Sequence, residues 1–195
     1  MDQSLENLLN ELEQFGRDND AAIADRPGRM LNITRDTGEF LSVLIQATNA
    51  RRVLEIGTSN GYSTLWLAWA TRVIRGYVTT IELSEFKYDL AATNIERAGM
   101  ADVITQVRGD AGEFLEGAVS SSFDLIFLDS ERREYEGWWK NLRRVVREGG
   151  LLVVDNAVSH RSELAGFVAM VSADAEFTTC QVPVGNGEFL AVRGA

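Results

Sequence analysis

The sequence has little cysteine, no excess of positive charge and no long apolar run. Its single cysteine, Cys180, excludes an internal disulfide, which is usual in reducing compartments. With 29 acidic and 19 basic residues, its formal net charge of −10 argues against nucleic acid or an anionic membrane surface as main partner. No apolar run approaches the roughly 20 residues of a membrane-spanning helix, and the first residues lack an apolar signal core. We therefore expect a cytoplasmic protein that binds neither nucleic acid nor membranes.

The remaining composition is that of a globular protein with a sizeable core. The 195 residues are 45% hydrophobic and 25% charged. From residue 52 onward, apolar strand-like runs alternate with helical patterns, which predicts a parallel sheet with helices on both faces. Strands are predicted at 52–56, 77–82, 103–107, 123–128, 151–155, 176–182 and 188–192. Helices are predicted at 3–15, 37–47, 61–74, 84–98, 111–118, 138–147 and 161–171.

These elements predict an α/β fold of Rossmann-like type with a mostly parallel seven-stranded sheet. The turn at 183–187 joins the last two strands as a hairpin, so the C-terminal strand is expected to be antiparallel. We expect one domain over 1–195, with N-terminal helices in 1–48 and the core in 49–195. Asp36 is expected to cap the second helix, and Cys180 is expected to be buried.

The first helical pattern, at 3–15, is amphipathic. It places Leu5, Leu8, Leu9, Leu12 and Phe15 on one face, and Gly16 is expected to end the helix.

The pattern at 53–63 predicts a strand, a turn that contains glycines and the start of a helix. Gly57 and Gly61 lack a Cβ where the backbone must approach a ligand closely. Their spacing is G-x-x-x-G, unlike the G-x-G-x-x-G of dinucleotide-binding proteins, so a pyrophosphate ligand is not indicated. Glu55, just before the first glycine, suits a ligand with a cationic end.

Carboxylates follow every predicted strand from the first to the fifth. Because ligands bind beyond the carboxyl ends of such strands, these acids mark a site. Glu82, 25 residues after Gly57, can accept hydrogen bonds from both ribose hydroxyls. With Glu55 at a cationic end and Asp110 and Ala111 near a base, the first half of the sheet suits S-adenosylmethionine.

The second half of the predicted edge carries hard oxygen ligands. Asp129 ends the fourth strand, and Asp155 and Asn156 end the fifth. Two carboxylates and an amide oxygen suit Mg²⁺, which retains water and accepts substrate oxygens. Helix capping is the structural alternative for each acid taken alone.

Five segments in order, at family-like spacing, resemble the class I S-adenosylmethionine-dependent O-methyltransferases of the catechol and caffeoyl-CoA type. They lie at 53–63, 79–82, 109–111, 123–129 and 149–156. The resemblance implies methyl transfer to a hydroxyl of a small, catechol- or phenol-like acceptor whose two vicinal oxygens bind a divalent metal, usually Mg²⁺. Dimers are frequent in this family, so a homodimer is possible. The implied metal ligands are Asp129, Asp155 and Asn156. The predicted cofactor-binding residues are Ile33, Glu55, Gly57, Thr58, Gly61, Tyr62, Ser63, Glu82, Leu83, Asp110, Ala111 and Asp129.

The sequence departs from the family at Arg132. The family usually has a lysine there that is often assigned as the base, and arginine stays protonated. Arg132 could orient an oxyanion or a carboxylate, and His160, the only histidine, is a candidate base. A helix-start or loop role is the alternative for His160. Two other functions stay open, a metal-independent methyltransferase of another acceptor class and a cofactor-binding protein that has lost transfer activity.

Overall fold

A computed structural model describes residues 1–194 as one sheet flanked by helices. The strands are β1 Arg52–Ile56, β2 Tyr77–Glu82, β3 Ile104–Arg108, β4 Phe123–Leu128, β5 Val146–Val154, β6 Phe177–Val182 and β7 Glu188–Arg193. The helices are α1 Gln3–Ala22, α2 Arg35–Thr48, α3 Tyr62–Val73, α4 Glu85–Arg97, α5 Ala111–Gly117, α6 Tyr135–Val145 and α7 Arg161–Ala173. Two short 3-10 turns, Arg26–Gly28 and Arg132–Glu134, precede α2 and α6.

The sheet has seven strands in the order β3-β2-β1-β4-β5-β7-β6. Strands β1 to β5 are parallel to one another, and β7 pairs antiparallel with both β5 and β6. The predicted fold class, with an antiparallel C-terminal strand, is confirmed. Strand β7 lies inside the sheet because the hairpin turns it back between β5 and β6.

Side chains of each central strand alternate between two hydrophobic cores. In β4, Leu125 and Phe127 face a core shared with α1, α2, α3 and α4, whereas Ile126 and Leu128 face one shared with α5, α6 and α7. All six residues of β4 are buried, which explains its continuous apolar run. The sheet is therefore covered on both faces, and only its edges and strand ends are open to ligands.

Several local predictions are wrong. Helix α1 continues through Gly16 to Ala22. Gly16 lies against the Asn32 side chain, since a Cβ at Gly16 would lie 2.4 Å from Asn32 Nδ2. Phe15 falls off the apolar face and is exposed. Thr34 caps α2 in place of Asp36.

Two further differences lie near the C-terminus. Cys180 is exposed, since β6 is an edge strand. Strand β5 begins at Val146, five residues earlier than predicted. Its first part was not predicted as strand because it carries charged residues and glycines and lacks the apolar run of 151–154.

Among residues 1–194, no helix has both the length and the apolar character needed to cross a membrane.

Candidate active site

The carboxyl ends of the parallel strands open into one cavity of about 920 Å³. This is near the upper end of the range for small-molecule sites, about 300–1,000 Å³, so it has room for two ligands side by side. The loops after β1, β2 and β3 line one half, and the loops after β4 and β5 line the other.

Two glycines set the backbone of the loop between β1 and α3. Gly57 has a φ of +106°, and a Cβ there would lie 2.1 Å from the carbonyl oxygen of Asp129. Gly61 has a φ of +86° and stands at the N-cap of α3. The loop therefore passes close to the end of β4 and leaves the cavity floor free of side chains at Gly57.

Glu82, at the end of β2, lines the half of the cavity formed by the loops after β1, β2 and β3, which is called the cofactor half below. Its Oε2 accepts a hydrogen bond from the Ser59 amide at 2.9 Å, and its Oε1 accepts one from the Ser84 amide at 2.8 Å. Each oxygen retains capacity for a second donor, because an ionised carboxylate has about four acceptor positions. Two backbone amides thus fix the carboxylate in place at the cavity wall.

Glu55 lies beneath the cavity wall and does not line it. It is fully buried and accepts hydrogen bonds from the hydroxyls of Ser63, Thr64 and Thr80 at 2.5–2.6 Å. Burial raises the pKa of Glu55 to about 7, although these three hydrogen bonds oppose the shift. Glu55 therefore connects β1, β2 and α3 and orients Ser63, which does line the cavity.

The segment between α1 and α2 forms a wall that the sequence interpretation missed. The Asp20 carboxylate accepts hydrogen bonds from the Met30 and Leu31 amides at 2.6 and 2.9 Å. The Ser59 hydroxyl donates to the Met30 carbonyl at 2.6 Å, which joins this wall to the glycine loop. The signal available in the sequence was weak, since Asp20 lies among polar residues typical of a surface helix.

Asp129, Asp155 and Asn156 meet at the ends of the neighbouring strands β4 and β5. The Asn156 Nδ2 donates to Asp155 Oδ2 at 2.8 Å and to Asp129 Oδ1 at 3.3 Å. Burial raises the pKa of both aspartates, and the Asp155 charge raises the pKa of Asp129 further, whereas the Arg132 charge opposes both shifts. The three predicted metal ligands thus lie close together, with the Asn156 amide nitrogen between the two carboxylates.

Glu188 lies behind Asp155, and the sequence interpretation did not include it among the site residues. It is fully buried, and its Oε1 accepts a hydrogen bond from the Thr37 hydroxyl at 3.0 Å. Burial, followed by the charge of Asp155, raises the pKa of Glu188 to about 10. Its position was predictable in principle, because the register pairs Phe189 with Val154 and brings the start of β7 beside the end of β5.

Arg132 and His160 line the same half of the cavity as the two aspartates. The Arg132 side chain is only 7% exposed, and its Nε donates to Glu163 Oε2 at 2.9 Å. His160 is the N-cap residue of α7, and its Nδ1 bonds to the Ser159 hydroxyl at 2.9 Å. Its Nε2 makes no hydrogen bond within residues 1–194 and is left for a ligand or water.

Most of the predicted site residues line the one cavity, and three do not. Gly61 ends the loop on the side that faces Ala91 of α4, Glu55 lies beneath the cavity wall, and Tyr62 is buried in the core beside α1 with its hydroxyl 3.4 Å from Glu13. The others line the cavity: Ile33, Gly57, Thr58, Ser63, Glu82, Leu83, Asp110, Ala111, Asp129, Arg132, Asp155, Asn156 and His160. Within residues 1–194, no three His, Cys, Asp or Glu side chains are arranged to hold a metal ion.

Comparison with known sequences places the chain among O-methyltransferases. A family model described as O-methyltransferase matches residues 4–194. The chain is 37% identical to a catechol O-methyltransferase of Mycobacterium tuberculosis over 65% of this chain and 57% of that protein. It is 31% identical to caffeoyl-CoA O-methyltransferase 1 of Nicotiana tabacum over 87% of this chain and 80% of that protein.

Solved structures agree with this placement. An O-methyltransferase from Bacillus cereus in complex with S-adenosylhomocysteine is 26% identical, with a TM-score of 0.78 over 99% of this chain and 91% of that one. The O-methyltransferase TomG from Streptomyces achromogenes in complex with S-adenosylmethionine is also 26% identical, with a TM-score of 0.78 over 100% and 91%. The chain belongs to the family of S-adenosylmethionine-dependent O-methyltransferases.

Proposed function

We propose that this protein transfers the methyl group of S-adenosylmethionine to a hydroxyl of a small acceptor with vicinal oxygens, assisted by a divalent metal ion. The observation that carries this proposal is the pair Asp129 and Asp155. Asp155, which is buried, and Asp129, which is half-buried, share a cavity with Glu82 and line the half of it that the loops after β4 and β5 form. The relatives are named for catechol and caffeoyl-CoA, which supports an acceptor of catechol-like type.

In the cofactor half, each residue has a role that follows from its contacts. Glu82, held by two amides, accepts hydrogen bonds from ribose hydroxyls, and Leu83 and Ala111 offer apolar contact to a base. Gly57 allows the ligand to approach the backbone, and Ser63 presents its oxygen at the position set by Glu55. Ile33 and Met30, on the wall fixed by Asp20, exclude water from the reacting methyl.

In the acceptor half, the oxygen atoms of Asp129, Asp155 and Asn156 fit a Mg²⁺ site. Both carboxylates carry charge that burial makes unfavourable, and a half-turn of the Asn156 amide would present Oδ1 in place of the nitrogen. When bound, a divalent ion supplies Lewis-acid chemistry that lowers the pKa of an acceptor hydroxyl. Glu188 and Thr37 support Asp155 from behind.

The proton of the acceptor hydroxyl needs a destination other than Arg132. The guanidinium stays protonated, so it stabilises negative charge and cannot take the proton. His160 lines the cavity, and its Nε2 is unbonded, so we assign it as proton acceptor, directly or through water.

A metal-independent transferase is the second candidate, and one contact favours it. The Asn156 amide nitrogen bridges the two aspartates, which satisfies them without a cation. Metal binding therefore decides between the candidates.

The test is a calorimetric titration of Mg²⁺ into the protein saturated with S-adenosylhomocysteine, together with methylation of catechol after EDTA treatment. We expect one binding site, loss of activity with EDTA and recovery with Mg²⁺. Asp155→Asn should weaken Mg²⁺ binding at least about tenfold, since it removes one of two charged ligands. Absence of Mg²⁺ binding, with activity that survives EDTA, would establish the metal-independent candidate.

The control is Asp102→Asn, a change at an exposed residue that pairs with Arg72 far from the cavity. It should leave Mg²⁺ affinity unchanged. If both variants lost affinity equally, the effect would reflect net charge and not the site.

A further inference from the structure

Arg132 is a buried cation with part of its hydrogen-bonding capacity unused. Its side chain is 7% exposed and lines the cavity, yet only Nε has a partner, the Glu163 carboxylate at 2.9 Å. Neither Nη1 nor Nη2 donates a hydrogen bond to any residue within 1–194. Neither nitrogen is among the fully buried atoms that lack a partner, so both donors are open to the cavity, where a ligand that replaces water gains charge-assisted hydrogen bonds.

The end of the guanidinium that carries Nη1 and Nη2, called the free end below, has a geometry that favours one kind of ligand. The guanidinium is planar and rigid, and Nη1 and Nη2 each direct one N–H outward in parallel at its end. This pair of donors matches the two oxygens of a carboxylate. Hydroxyl or ether oxygens can use only one of these donors at full strength. The charge of Arg132 also acts on both Asp129 and Asp155, which places the guanidinium beside the acceptor half of the cavity.

No acidic neighbour hydrogen-bonds to Nη1 or Nη2, although the charges of Asp129 and Asp155 act on the guanidinium. Glu131 and Glu163 also line this side of the cavity, but their side chains are 48% and 44% exposed, so water screens their charge. The Glu163 contact uses the Nε side of the guanidinium and leaves the opposite end open.

We propose that Arg132 binds a carboxylate of the methyl acceptor, so that the preferred acceptors are hydroxylated acids and not neutral phenols. This inference rests on the proposed function for the position of the acceptor. It deepens that function by naming the substrate class, and it gives Arg132 a role that the lysine usual at this position would fill less well, because lysine lacks the planar fork.

The experiment compares a matched acid and neutral amide. The binding of 3,4-dihydroxybenzoate and 3,4-dihydroxybenzamide to the protein saturated with S-adenosylhomocysteine and Mg²⁺ is measured by calorimetry, and the 2,3-isomers are measured in the same way. We expect the acid of at least one isomer to bind about tenfold to a hundredfold more tightly than its amide, as charge-assisted hydrogen bonds imply. Arg132→Gln should remove this preference.

Two further variants make the result specific. Arg133→Gln changes the adjacent arginine, whose side chain is 82% exposed, and should keep the preference. Arg132→Lys keeps the charge without the fork and should retain only part of it. Equal affinities for acid and amide in the wild-type protein, or an unchanged ratio in Arg132→Gln, would overturn the inference, as would failure of both compounds to bind.

These titrations, together with the catechol methylation assay described above, separate this inference from the proposed function. Failure of S-adenosylhomocysteine to bind would overturn the proposed function itself. Normal cofactor binding and catechol methylation without any preference for the acid would leave the proposed function standing and remove only the role of Arg132.

Discussion

At the scale of single residues, Glu55 shows how the fold controls a titratable group. Its carboxyl is fully buried, and its partners are three hydroxyls from α3 and β2. Burial raises its pKa from 4.5 to about 7. The folded protein therefore binds this proton more tightly than the unfolded chain does, and stability depends on pH in a defined direction.

The sign of the pH dependence follows from this difference. The stability contributed by protonated Glu55 is complete below about pH 4.5 and is lost as pH rises through about 7. Between pH 5 and pH 8, the wild-type protein should lose about 2–3 kcal/mol of unfolding free energy through this group. We expect Glu55→Gln, in which the amide is neutral throughout, to lack this part of the decline in urea denaturation curves.

The matched control is Glu116→Gln, a change at an exposed residue of α5. Its curves should follow the wild-type pH dependence. If the Glu55→Gln protein declined with pH as steeply as the wild type, Glu55 would not be the buried titrating group.

The sequence correctly predicts that residues at the ends of the strands line the cavity. Glu82, Asp129 and Asp155 line the cavity because the carboxyl ends of β2, β4 and β5 meet at one edge. Glu55 stands within β1, where its direction depends on which face of the sheet it points to, and Ser63 and Thr80 reach it only through tertiary packing. Strand order alone does not give that contact.

At the scale of elements, the turn between β1 and α3 is fixed by its first glycine. A Cβ at Gly57 would overlap the backbone of Asp129, which cannot move without shifting the end of β4, and the φ of +106° is itself unfavourable for other residues. We expect Gly57→Ala to destabilise the protein by about 2–4 kcal/mol, the sum of backbone strain and steric overlap. Urea denaturation measures this change.

Gly137 in α6 is the matched control, since a Cβ there meets nothing within 4 Å. Gly137→Ala should stabilise the protein by about 0.5–1 kcal/mol through helix propensity. A Gly57→Ala protein as stable as the wild type would mean that the turn can relax away from β4.

Elements with one strong pattern are predicted well, and those that depend on tertiary contacts are not. The bounds of β1, β2 and β4 agree with the prediction because each is a short apolar run bounded by polar residues. The extension of α1 beyond Gly16 is missed, because a glycine that usually ends a helix serves here as a contact surface for Asn32. The wall built on Asp20 follows from that extension and is missed with it.

At the scale of the whole molecule, α1 belongs to the same core as the sheet. Leu5, Leu8, Leu9 and Leu12 are buried in one cluster with residues of β1 and α3. The same helix carries Asp20, which holds the wall of the cavity. The N-terminal segment therefore couples core packing to the site, and its loss should affect the stability of the protein as a unit.

Leu9 and Phe15 allow this coupling to be tested within one helix. Leu9 is fully buried, so Leu9→Ala should lower the unfolding free energy by about 2–5 kcal/mol, whereas Phe15, 42% exposed, should change it by no more than about 0.5 kcal/mol when replaced by alanine. Because the leucine contacts the shared core, the loss should appear as a shift of one cooperative urea transition monitored by tryptophan fluorescence. If α1 were only attached to the surface, Leu9→Ala would leave that transition in place and add an early, separate loss of helical signal in circular dichroism. A single shifted transition would show that the first helix and the sheet that carries the site unfold together.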